Sequence, residues 1–223
     1  MFQWGEHPLK TWNPWFGCQH RCYKDGCWAN KRLAHRLGKG IGCQLCYEFK
    51  PHLHARRLKT IPSHPRIFVV AHGDLFGYWV PTAIIRRILD VCRSHPKELW
   101  FFETKNPNRY LEFLDLFPEN TMLSTTIETN REYAKAIMGY AVPPIGRFRA
   151  MMRIHNFPTH VSIEPIMDFD LKTLVSWMKL LQPTKVAVGY DSLNNNLPEP
   201  PKDKTWKLIE ELEGFTEVEV KQL

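Results

Sequence analysis

The sequence predicts an α/β fold in which strands and helices alternate around a parallel sheet. Short runs rich in β-branched and aromatic residues alternate with amphipathic segments, as consecutive strand–helix units do. The chain has 223 residues, of which 43% are hydrophobic and 24% charged, so it can form one ordinary core and is not disordered or fibrous. We expect one domain over residues 1–223, with a basic, cysteine-rich segment at 1–60 and the repeats at 61–223.

The apolar runs and their flanking residues place the individual elements. Strands are expected at 66–71, 98–103, 121–126, 159–164, 184–189 and 215–220. Helices are expected at 81–94, 107–116, 130–139, 146–156, 170–181 and 203–213. Asp170 is a favourable N-cap, and Pro81 suits a first helical turn. A further helix is expected from Trp28 to about Gly38, and the proline-rich stretch 197–201 is read as an extended connector.

Polar segments follow five of the predicted strands directly. They are HGDLF at 72–76, TKNP at 104–107, IETN at 127–130, EPIMD at 164–168 and YDSLNNN at 190–196. In parallel α/β folds, ligands bind at the carboxyl ends of the strands. We therefore expect these five segments to converge on one site.

The cysteines are unevenly distributed. Five of the six lie in one window, at Cys18, Cys22, Cys27, Cys43 and Cys46. The opening MFQWGEHPLK lacks the apolar stretch of a secretory signal, and no run is long enough to span a membrane, so a cytoplasmic location is expected. In a reducing compartment, clustered thiols are more often metal ligands or redox groups than structural disulfides. Cys92 follows an apolar helical face and is expected to be a small buried hydrophobic residue.

Positive charge accompanies the cysteine window. Residues 1–60 hold eleven Lys and Arg against three acidic residues. The remaining residues have nearly equal numbers of basic and acidic side chains, and the net charge of the whole chain is +7. A basic segment of this kind suits a polyanionic partner, although a solvated basic surface has the same composition.

The cysteine spacing admits two kinds of metal site. Cys18-x3-Cys22-x4-Cys27 places three thiolates on one loop, which leaves a fourth ligand position of an iron–sulfur cluster open. The Cys43-x2-Cys46 pair has a spacing common to zinc and iron–sulfur sites. The five thiols with His20 would equally suit a zinc knot, and spacing alone favours zinc.

The sequence around the cysteines resembles a known family. TWNPWFGC (11–18) and GCWANKRLA (26–34) resemble the opening of a radical S-adenosylmethionine (SAM) branch found in phages and archaea and largely known as a domain of unknown function. Motifs that resemble that branch continue in order, with CQLCYEFKPHLHARRL (43–58), VVAHGDLF (69–76), ETKNPNRYLEFL (103–114), TTIETNRE (125–132), VSIEPIMDFDL (161–171) and VGYDSLNNNLPEPP (188–201). The motifs are specific as an ordered set rather than singly.

The resemblance implies a partial (β/α)6 TIM-like barrel and a [4Fe–4S] cluster. Cys18, Cys22 and Cys27 would bind the cluster, and Trp28 would lie beside the adenine of SAM. In the family, one electron cleaves SAM reductively to a 5′-deoxyadenosyl radical that abstracts hydrogen from a substrate. The usual spacing is C-x3-C-x2-C, so the C-x3-C-x4-C loop found here must bulge. An electron donor such as flavodoxin or ferredoxin is expected.

The strand-end segments supply the other expected cofactor contacts. Gly73 and Asp74 occupy the place of the family's motif for the SAM ammonium group, although Asp74 also suits a capping role. The further cofactor-binding candidates are Lys105, Thr126, Glu128, Ser162 and Glu164, with Lys105 favoured for the SAM carboxylate. The substrate-side candidates are Tyr190, Asp191 and Asn194 to Asn196, and the sequence assigns no catalytic residue.

The substrate and the role of Cys43 and Cys46 stay open at this point. The basic segment and the aromatic residues Trp12, Trp15 and Phe16 favour a nucleic acid or nucleotide, but such aromatics also shield clusters. Cys43 and Cys46 would bind a separate zinc, form a redox disulfide or simply pack. The main alternative is a zinc-stabilised nucleic-acid-binding module without enzymatic activity. A metal-dependent hydrolase is weakly supported, by a lone His-x-Asp match at 72–74.

Overall fold

A parallel sheet forms the centre of the molecule. The computed structural model describes residues 9–30 and 42–221. The strands are β1 (Lys10–Trp12), β2 (Trp15–Phe16), β3 (His52–Leu53), β4 (Arg66–Val69), β5 (Leu99–Thr104), β6 (Thr121–Thr126), β7 (Thr159–Ile163), β8 (Lys185–Val188) and β9 (Glu217–Val220). Seven of them pair in the order β1-β4-β5-β6-β7-β8-β9, every pair parallel, and β2 and β3 form a separate antiparallel ribbon. The predicted parallel α/β fold is therefore confirmed.

Helices connect the strands. The α-helices are α1 (Gln44–Tyr47), α2 (Thr82–Arg93), α3 (Lys135–Met138), α4 (Pro144–Met151), α5 (Leu171–Leu181) and α6 (Lys202–Glu213). Shorter 3-10 helices cover Cys22–Asp25, Ala55–Lys59 and Pro107–Glu112. No described helix has the length and apolar character to cross a lipid bilayer.

The two faces of the sheet differ in chemistry. One face packs against helices, with Ile67, Val69, Trp100 and Phe102 in one apolar cluster with α2. On the same side, the inner strands β7 and β8 pack with α5 and α6 in a second cluster. The alternate residues of the strands face a cavity instead, among them Phe68, Phe101, Glu103, Met122, His160, Ser162 and Lys185. Since side chains alternate between faces along a strand, the same strands build the core and one wall of the cavity.

All six predicted strands are present, and no strand end is shifted by more than two residues. One strand was not predicted. β1 extends the sheet beyond β4, with Lys10 opposite Ile67 and Trp12 opposite Val69, so the sheet has one strand more than the six expected. Within the described ranges, no strand pairing joins β1 to β9.

The predicted helices need several corrections. The segment predicted as a helix at 107–116 forms a 3-10 helix, and that at 146–156 begins two residues earlier and ends at Met151. Asp170 caps α5 as predicted, since its carboxylate accepts a hydrogen bond from the Thr173 backbone N–H. Pro81 precedes α2 rather than lying in its first turn. The helix expected from Trp28 towards Gly38 falls largely on residues 31–41, outside the described residues.

The helix predicted at 130–139 shrinks to the single turn of α3. Polar side chains hold the missing part in another conformation: Thr129 Oγ1 donates to the Asp168 carbonyl, and Asn130 exchanges two hydrogen bonds with the Asp170 backbone. Such side-chain bonds compete with helical hydrogen bonds. The segment is therefore tied to the loop after β7 instead of extending the helix.

Candidate cofactor site

The cavity lies at the carboxyl ends of the strands and has a volume of about 560 Å³. This volume falls within the range of about 300–1,000 Å³ typical of small-molecule pockets. Its wall includes all three thiols of the first cysteine group, Cys18, Cys22 and Cys27, together with side chains from the predicted strand-end segments. The expected convergence of the polar segments on one site is therefore observed for the cysteine loop and the loops after β4, β5, β7 and β8.

The loop that carries Cys18, Cys22 and Cys27 has an irregular backbone. Cys22–Asp25 forms a 3-10 helix, and both Arg21 and Tyr23 have positive φ angles, of 55° and 58°. Residues other than glycine adopt this left-handed conformation rarely. The loop, whose C-x3-C-x4-C spacing has two residues more than the usual C-x3-C-x2-C, thus follows a tight path with two left-handed residues.

Close backbone packing holds the start of this loop. Gly17 has a φ of 90°, its N–H donates to the His72 carbonyl at 3.0 Å, and it forms an isolated parallel bridge with Gly73. A Cβ at Gly73 would lie 2.5 Å from the Gly17 carbonyl oxygen, and a Cβ at Gly17 would lie 2.4 Å from the Lys50 carbonyl carbon. Glycine is required at both positions because three backbone segments meet there.

Two distant segments hold the rest of the loop. The N–H of Tyr140, just after α3, donates to the His20 carbonyl at 2.6 Å. Asn195 Nδ2 donates to the Gly26 carbonyl at 3.1 Å and to Asp191 at 3.0 Å, and its amide lies against Gly26, next to Cys27. The cysteine loop is therefore positioned by contacts from across the whole chain.

The environment of the thiols suits a metal–sulfur group. Burial raises the pKa of Cys18 and Cys22, because a thiolate has no water to solvate it there, while the Lys105 ammonium acts in the opposite direction on Cys22. Metal ligation compensates a buried thiolate. The described side chains also leave the buried Nδ1 of His20, between Cys18 and Cys22, without a hydrogen-bond partner.

The number of thiols at the cavity bears on the kind of metal that they could hold. Cys18, Cys22 and Cys27 all line the cavity. A structural zinc site takes four protein ligands, whereas three cysteines are enough to hold a four-iron cluster that keeps one iron open to another ligand. Three thiols on the wall of a ligand-sized cavity therefore fit such a cluster.

Asp74 is buried and its carboxylate is fully engaged within the chain. It accepts hydrogen bonds from His20 Nε2 at 2.8 Å, Thr104 Oγ1 at 2.6 Å, the Lys105 N–H at 3.0 Å and the Phe76 N–H at 2.9 Å. Burial raises the pKa of Asp74, but these hydrogen bonds outweigh it and the pKa is lowered overall. Asp74 does not cap a helix, because its bond from the Phe76 N–H lies within a turn and the next helix, α2, begins only at Thr82.

A buried charge network lies beside the thiol loop. Glu128 is wholly buried and forms ion pairs with Lys105 Nζ and, at 2.7 Å, with Arg147 Nη1. Tyr23 donates to the same carboxylate at 2.8 Å and accepts from Lys105 at 3.0 Å. Burial, together with the nearby Arg147 charge, lowers the pKa of Lys105 to about 8. Two cations around one carboxylate leave a net positive charge next to Cys22, which favours anionic thiolates.

The other predicted cofactor residues lie mostly on the cavity wall. Gly73, Lys105, Thr126, Ser162 and Glu164 line it, as does Trp28, which is 48% exposed. Glu128 lies behind the wall in the charge network and Thr126 Oγ1 accepts from Arg147 at 2.8 Å.

The loop after β8 contributes the substrate-side candidates. Tyr190 and Asp191 line the cavity. Asn194 is exposed with a φ of 54° and is not among the cavity-lining residues, where Asn195 is found instead. The sequence predicted that the asparagine run lies near the site. Which asparagine lines the cavity is decided by Asp191, whose carboxylate accepts hydrogen bonds from the Leu193 N–H and the Asn195 side chain.

A second buried polar track runs deeper along the cavity wall. Ser124 Oγ lies 3.0 Å from Glu103 Oε2 and 2.8 Å from His160 Nδ1. Burial raises the pKa of Glu103 and lowers the pKa of His160 to about 3, so both groups favour their neutral forms. Ser124, Glu103 and His160 were not predicted as site residues. Without the register of the strands, the sequence does not tell which of their polar side chains face the cavity.

Cys43 and Cys46 lie outside the cavity. Their sulfurs group with His52 Nε2 and His54 Nε2, and the four donor atoms all lie within 4.8 Å of one another. The two histidines were missed, although Cys43-x2-Cys46-x5-His52-x-His54 could have been read as a metal-binding spacing. Arg147 and Tyr23 were also missed, and a lone arginine or tyrosine in sequence carries no signal of burial.

The fold is similar to that of spore photoproduct lyase. Its complex with dinucleoside spore photoproduct aligns at a TM-score of 0.61 and 10% identity, over 94% of this chain and 75% of that chain. A variant bound to the same ligand aligns at 0.64 and 11%, over 97% and 75%. A variant with bound AdoMet and dinucleoside spore photoproduct aligns at 0.57 and 11%, over 92% and 61%.

Sequence comparison identifies a family for this chain but no individual curated relative. No curated protein matches the chain. One family model, described as a protein of unknown function, matches residues 2–198, and the chain therefore belongs to the DUF5131 family.

Proposed function

We propose that this protein is a radical SAM enzyme acting on a nucleic acid or nucleotide. The observation that carries the proposal is the placement of Cys18, Cys22 and Cys27 on a tightly held loop that faces a ligand-sized cavity at the carboxyl ends of a parallel sheet. The likeness in fold to spore photoproduct lyase supports a partial (β/α)6 barrel with this kind of site. A [4Fe–4S] cluster would supply the electron that cleaves SAM to a 5′-deoxyadenosyl radical.

The cysteine loop holds the cluster ligands in place. Cys18, Cys22 and Cys27 would be the three ligands, and all three line the cavity in which SAM would bind. Lys105 and Arg147 place positive charge beside Cys22, which stabilises an anionic thiolate cluster in a buried setting. The glycines at 17 and 73 fix the entry of the loop onto the sheet.

Lys105 and Trp28 are the strongest candidates for contacts with SAM. An ammonium group has three donors, and Lys105 uses two within the chain, on Tyr23 and Glu128, so one remains for the SAM carboxylate. Trp28 is half-exposed on the cavity wall, where an indole ring stacks well on adenine. Thr126, Ser162 and Glu164 offer hydroxyl and carboxylate groups for the ribose.

Asp74 acts on SAM indirectly in this proposal. All its hydrogen bonds are made within the chain, to His20, Thr104, Phe76 and Lys105. Asp74 is therefore a positioning residue that fixes the backbone around Gly73, which lies on the cavity wall. The SAM ammonium group would be bound by backbone carbonyls at this strand end.

A nucleotide substrate fits the charge and the comparisons. Residues 1–60, which include the cysteine loop, hold eleven Lys and Arg against three acidic residues, a composition that suits a polyanionic partner. Spore photoproduct lyase, which shares the fold, is bound in its complexes to a dinucleoside. Tyr190 and Asp191, on the last loop, are proposed to face this substrate, with Asn194 at its rim, and a flavodoxin or ferredoxin to supply the electron.

The proposal is tested by spectroscopy on anaerobically purified protein. The expected result is about four iron and four sulfide per chain, with an EPR signal after dithionite reduction that changes when SAM is added. Loss of iron in the triple variant Cys18→Ala, Cys22→Ala, Cys27→Ala is the control for the ligand set. Colourless protein that stays inert to SAM after attempted reconstitution would refute the enzyme and favour the zinc-stabilised nucleic-acid-binding module.

A further inference from the structure

Two cysteines and two histidines form a compact cluster away from the cavity. Cys43 is the N-cap of α1, Cys46 lies within that helix, His52 is in β3, and His54 follows β3. Cys46 is fully buried and the other three are partly buried. These four residues, which we name the Cys43–His54 cluster, are the one described group of three or more Cys, His, Asp or Glu side chains with donor atoms this close.

The distances in the cluster suit one ion. His52 Nε2 lies 3.5 Å from each sulfur, His54 Nε2 lies 3.0 Å from the Cys46 sulfur, and the two Nε2 atoms are 2.9 Å apart. Donors around a tetrahedral zinc ion lie about 3.3–3.8 Å apart, as follows from Zn–N bonds of about 2.0 Å and Zn–S bonds of about 2.3 Å. A small outward shift of the two rings would open the centre for the ion.

The histidine orientation is that of a metal ligand. His52 Nδ1 lies 2.7 Å from the Lys50 carbonyl oxygen, which accepts only if Nδ1 carries the hydrogen. The lone pair of His52 is then on Nε2, the nitrogen that faces the two sulfurs. A backbone carbonyl that holds the second ring nitrogen in this way is a regular partner of metal-ligating histidines.

We propose that Cys43, Cys46, His52 and His54 bind a structural zinc ion. Two thiolates and two imidazoles at tetrahedral spacing are a ligand set that zinc prefers. A two-iron cluster would place the cysteines and the histidines on different metal atoms, which does not suit donors that all lie within 4.8 Å. All four positions are filled by the chain, so the ion would have no open position for a substrate.

The position of the cluster gives the ion a structural task. His52 pairs directly with Phe16 in the β2–β3 ribbon. Phe16 lies two residues before Cys18 in the chain. The Phe16 ring packs against the rings of His52 and His54, at centroid distances of 5.9 and 6.3 Å. The backbone of Lys50 and Pro51 lies so close to Gly17 that a Cβ there would clash with it. The ion therefore joins α1 to β3 and, through β3, holds the segment on which the Cys18 loop rests.

Metal analysis of the full chain tests this inference independently of SAM chemistry. We expect about one zinc ion per chain in the wild type, retained in Cys18→Ala, Cys22→Ala, Cys27→Ala, and lost in His52→Ala, His54→Ala. His95→Ala, which changes an exposed histidine, should leave zinc content unchanged. The double histidine variant could fail to fold, so wild-type protein exchanged with Co²⁺ is the second measurement. It should show the intense visible bands of tetrahedral thiolate-bound cobalt.

Three results would overturn the inference. Wild-type protein without zinc and without the cobalt bands would show that the cluster binds no such ion. Zinc that disappears with the Cys18, Cys22 and Cys27 substitutions would place the ion on the other loop. Iron that stays bound in the variant lacking Cys18, Cys22 and Cys27, and is lost when Cys43 and Cys46 are also substituted, would assign this cluster to iron–sulfur chemistry. Failure of SAM cleavage with zinc retained would refute the proposed function but not this site.

Discussion

The two cysteine-bearing regions are neighbours but are built in opposite ways. The loop with Cys18, Cys22 and Cys27 spreads its three thiols along the wall of a large cavity. The Cys43–His54 cluster gathers four donors within 4.8 Å and lies apart from the cavity. Spacing alone favoured one zinc knot built from the five thiols with His20, whereas the structure separates the three thiols on the cavity wall from the compact Cys43–His54 cluster. A reactive centre needs a ligand position that the protein leaves free, and a structural centre does not.

The supports of the two regions also differ. The Cys18 loop is held by backbone contacts from distant segments, at Gly17, His20 and Gly26. The Cys43–His54 cluster is held by residues close in sequence, within twelve positions, so an ion can form it with little help from the rest of the fold. We therefore expect the Cys18 loop to need the Cys43–His54 cluster for its position, whereas the cluster should form without the loop.

Removing the three cavity thiols should have the largest effect. In Cys18→Ala, Cys22→Ala, Cys27→Ala we expect complete loss of iron and of SAM cleavage, because no other described thiol lines the cavity. Iron and sulfide analysis after reconstitution measures this. The matched control is Cys92→Ala, which removes a buried thiol of the apolar core and should keep its iron. Iron retained by the triple variant would mean that the ligand assignment is wrong.

Removing the proposed zinc ligands tests the dependence between the regions. In His52→Ala, His54→Ala we expect a several-fold fall in iron uptake during reconstitution, because β3 would no longer hold the segment beneath Gly17. The same assay on His95→Ala gives the baseline. Full iron uptake by a folded, zinc-free variant would show that the two regions are independent.

The charge network behind the cavity should be important for stability. Glu128→Gln leaves Lys105 and Arg147 without their buried counter-charge, and breaking such a pair costs about 3–5 kcal/mol. Urea unfolding of both proteins gives the difference in the free energy of unfolding. Glu112→Gln, which removes an exposed pair with Arg109, should cost less than about 1 kcal/mol. Equal losses in the two variants would contradict the role of burial.

A pair of glycines isolates the effect of close backbone packing. Gly17→Ala and Gly42→Ala both place alanine at a positive φ, of 90° and 63°. The added Cβ meets the Lys50 backbone at Gly17, whereas at Gly42 no atom of the described residues lies within 4 Å of it. We expect Gly17→Ala to cost about 1–3 kcal/mol more than Gly42→Ala, as overpacking does. Thermal unfolding of the two variants measures the difference. Similar melting temperatures would contradict the claim that close backbone packing requires glycine at position 17.

The smallest expected effect is at Asp168, far from either cysteine region. The hydrogen bond from Lys204, with help from Arg131, holds the pKa of Asp168 below its ordinary value. Stabilisation from a lowered carboxyl pKa is present above the unfolded value of about 3.9 and is lost as the pH falls through the folded value. Asp168→Asn should therefore cost about 0.2–1 kcal/mol near neutral pH, as a solvent-exposed pair does, and nothing in strong acid. A difference that grows on acidification would contradict this sign.

The sequence predicted the strands well and the site residues unevenly, for physical reasons. β-Branched runs such as RIFV at Arg66–Val69 carry their own strand signal, but Lys10–Trp12 became a strand only through pairing with β4. Side-chain roles depend on partners that sequence does not place: Asp74 was expected to face a ligand and is satisfied by four donors of the chain. His52 and His54 were readable from their spacing to Cys46 and were missed.

Formation of 5′-deoxyadenosine is the measurement that tests the central claim most directly. Anaerobically reconstituted protein is reduced with dithionite in the presence of SAM, and the products are separated and identified by mass. The account predicts 5′-deoxyadenosine and methionine from the wild type and from Cys92→Ala, and neither from the variant lacking Cys18, Cys22 and Cys27. Absence of 5′-deoxyadenosine from iron-loaded wild-type protein, with SAM recovered intact, would contradict the assignment of this chain to radical SAM chemistry.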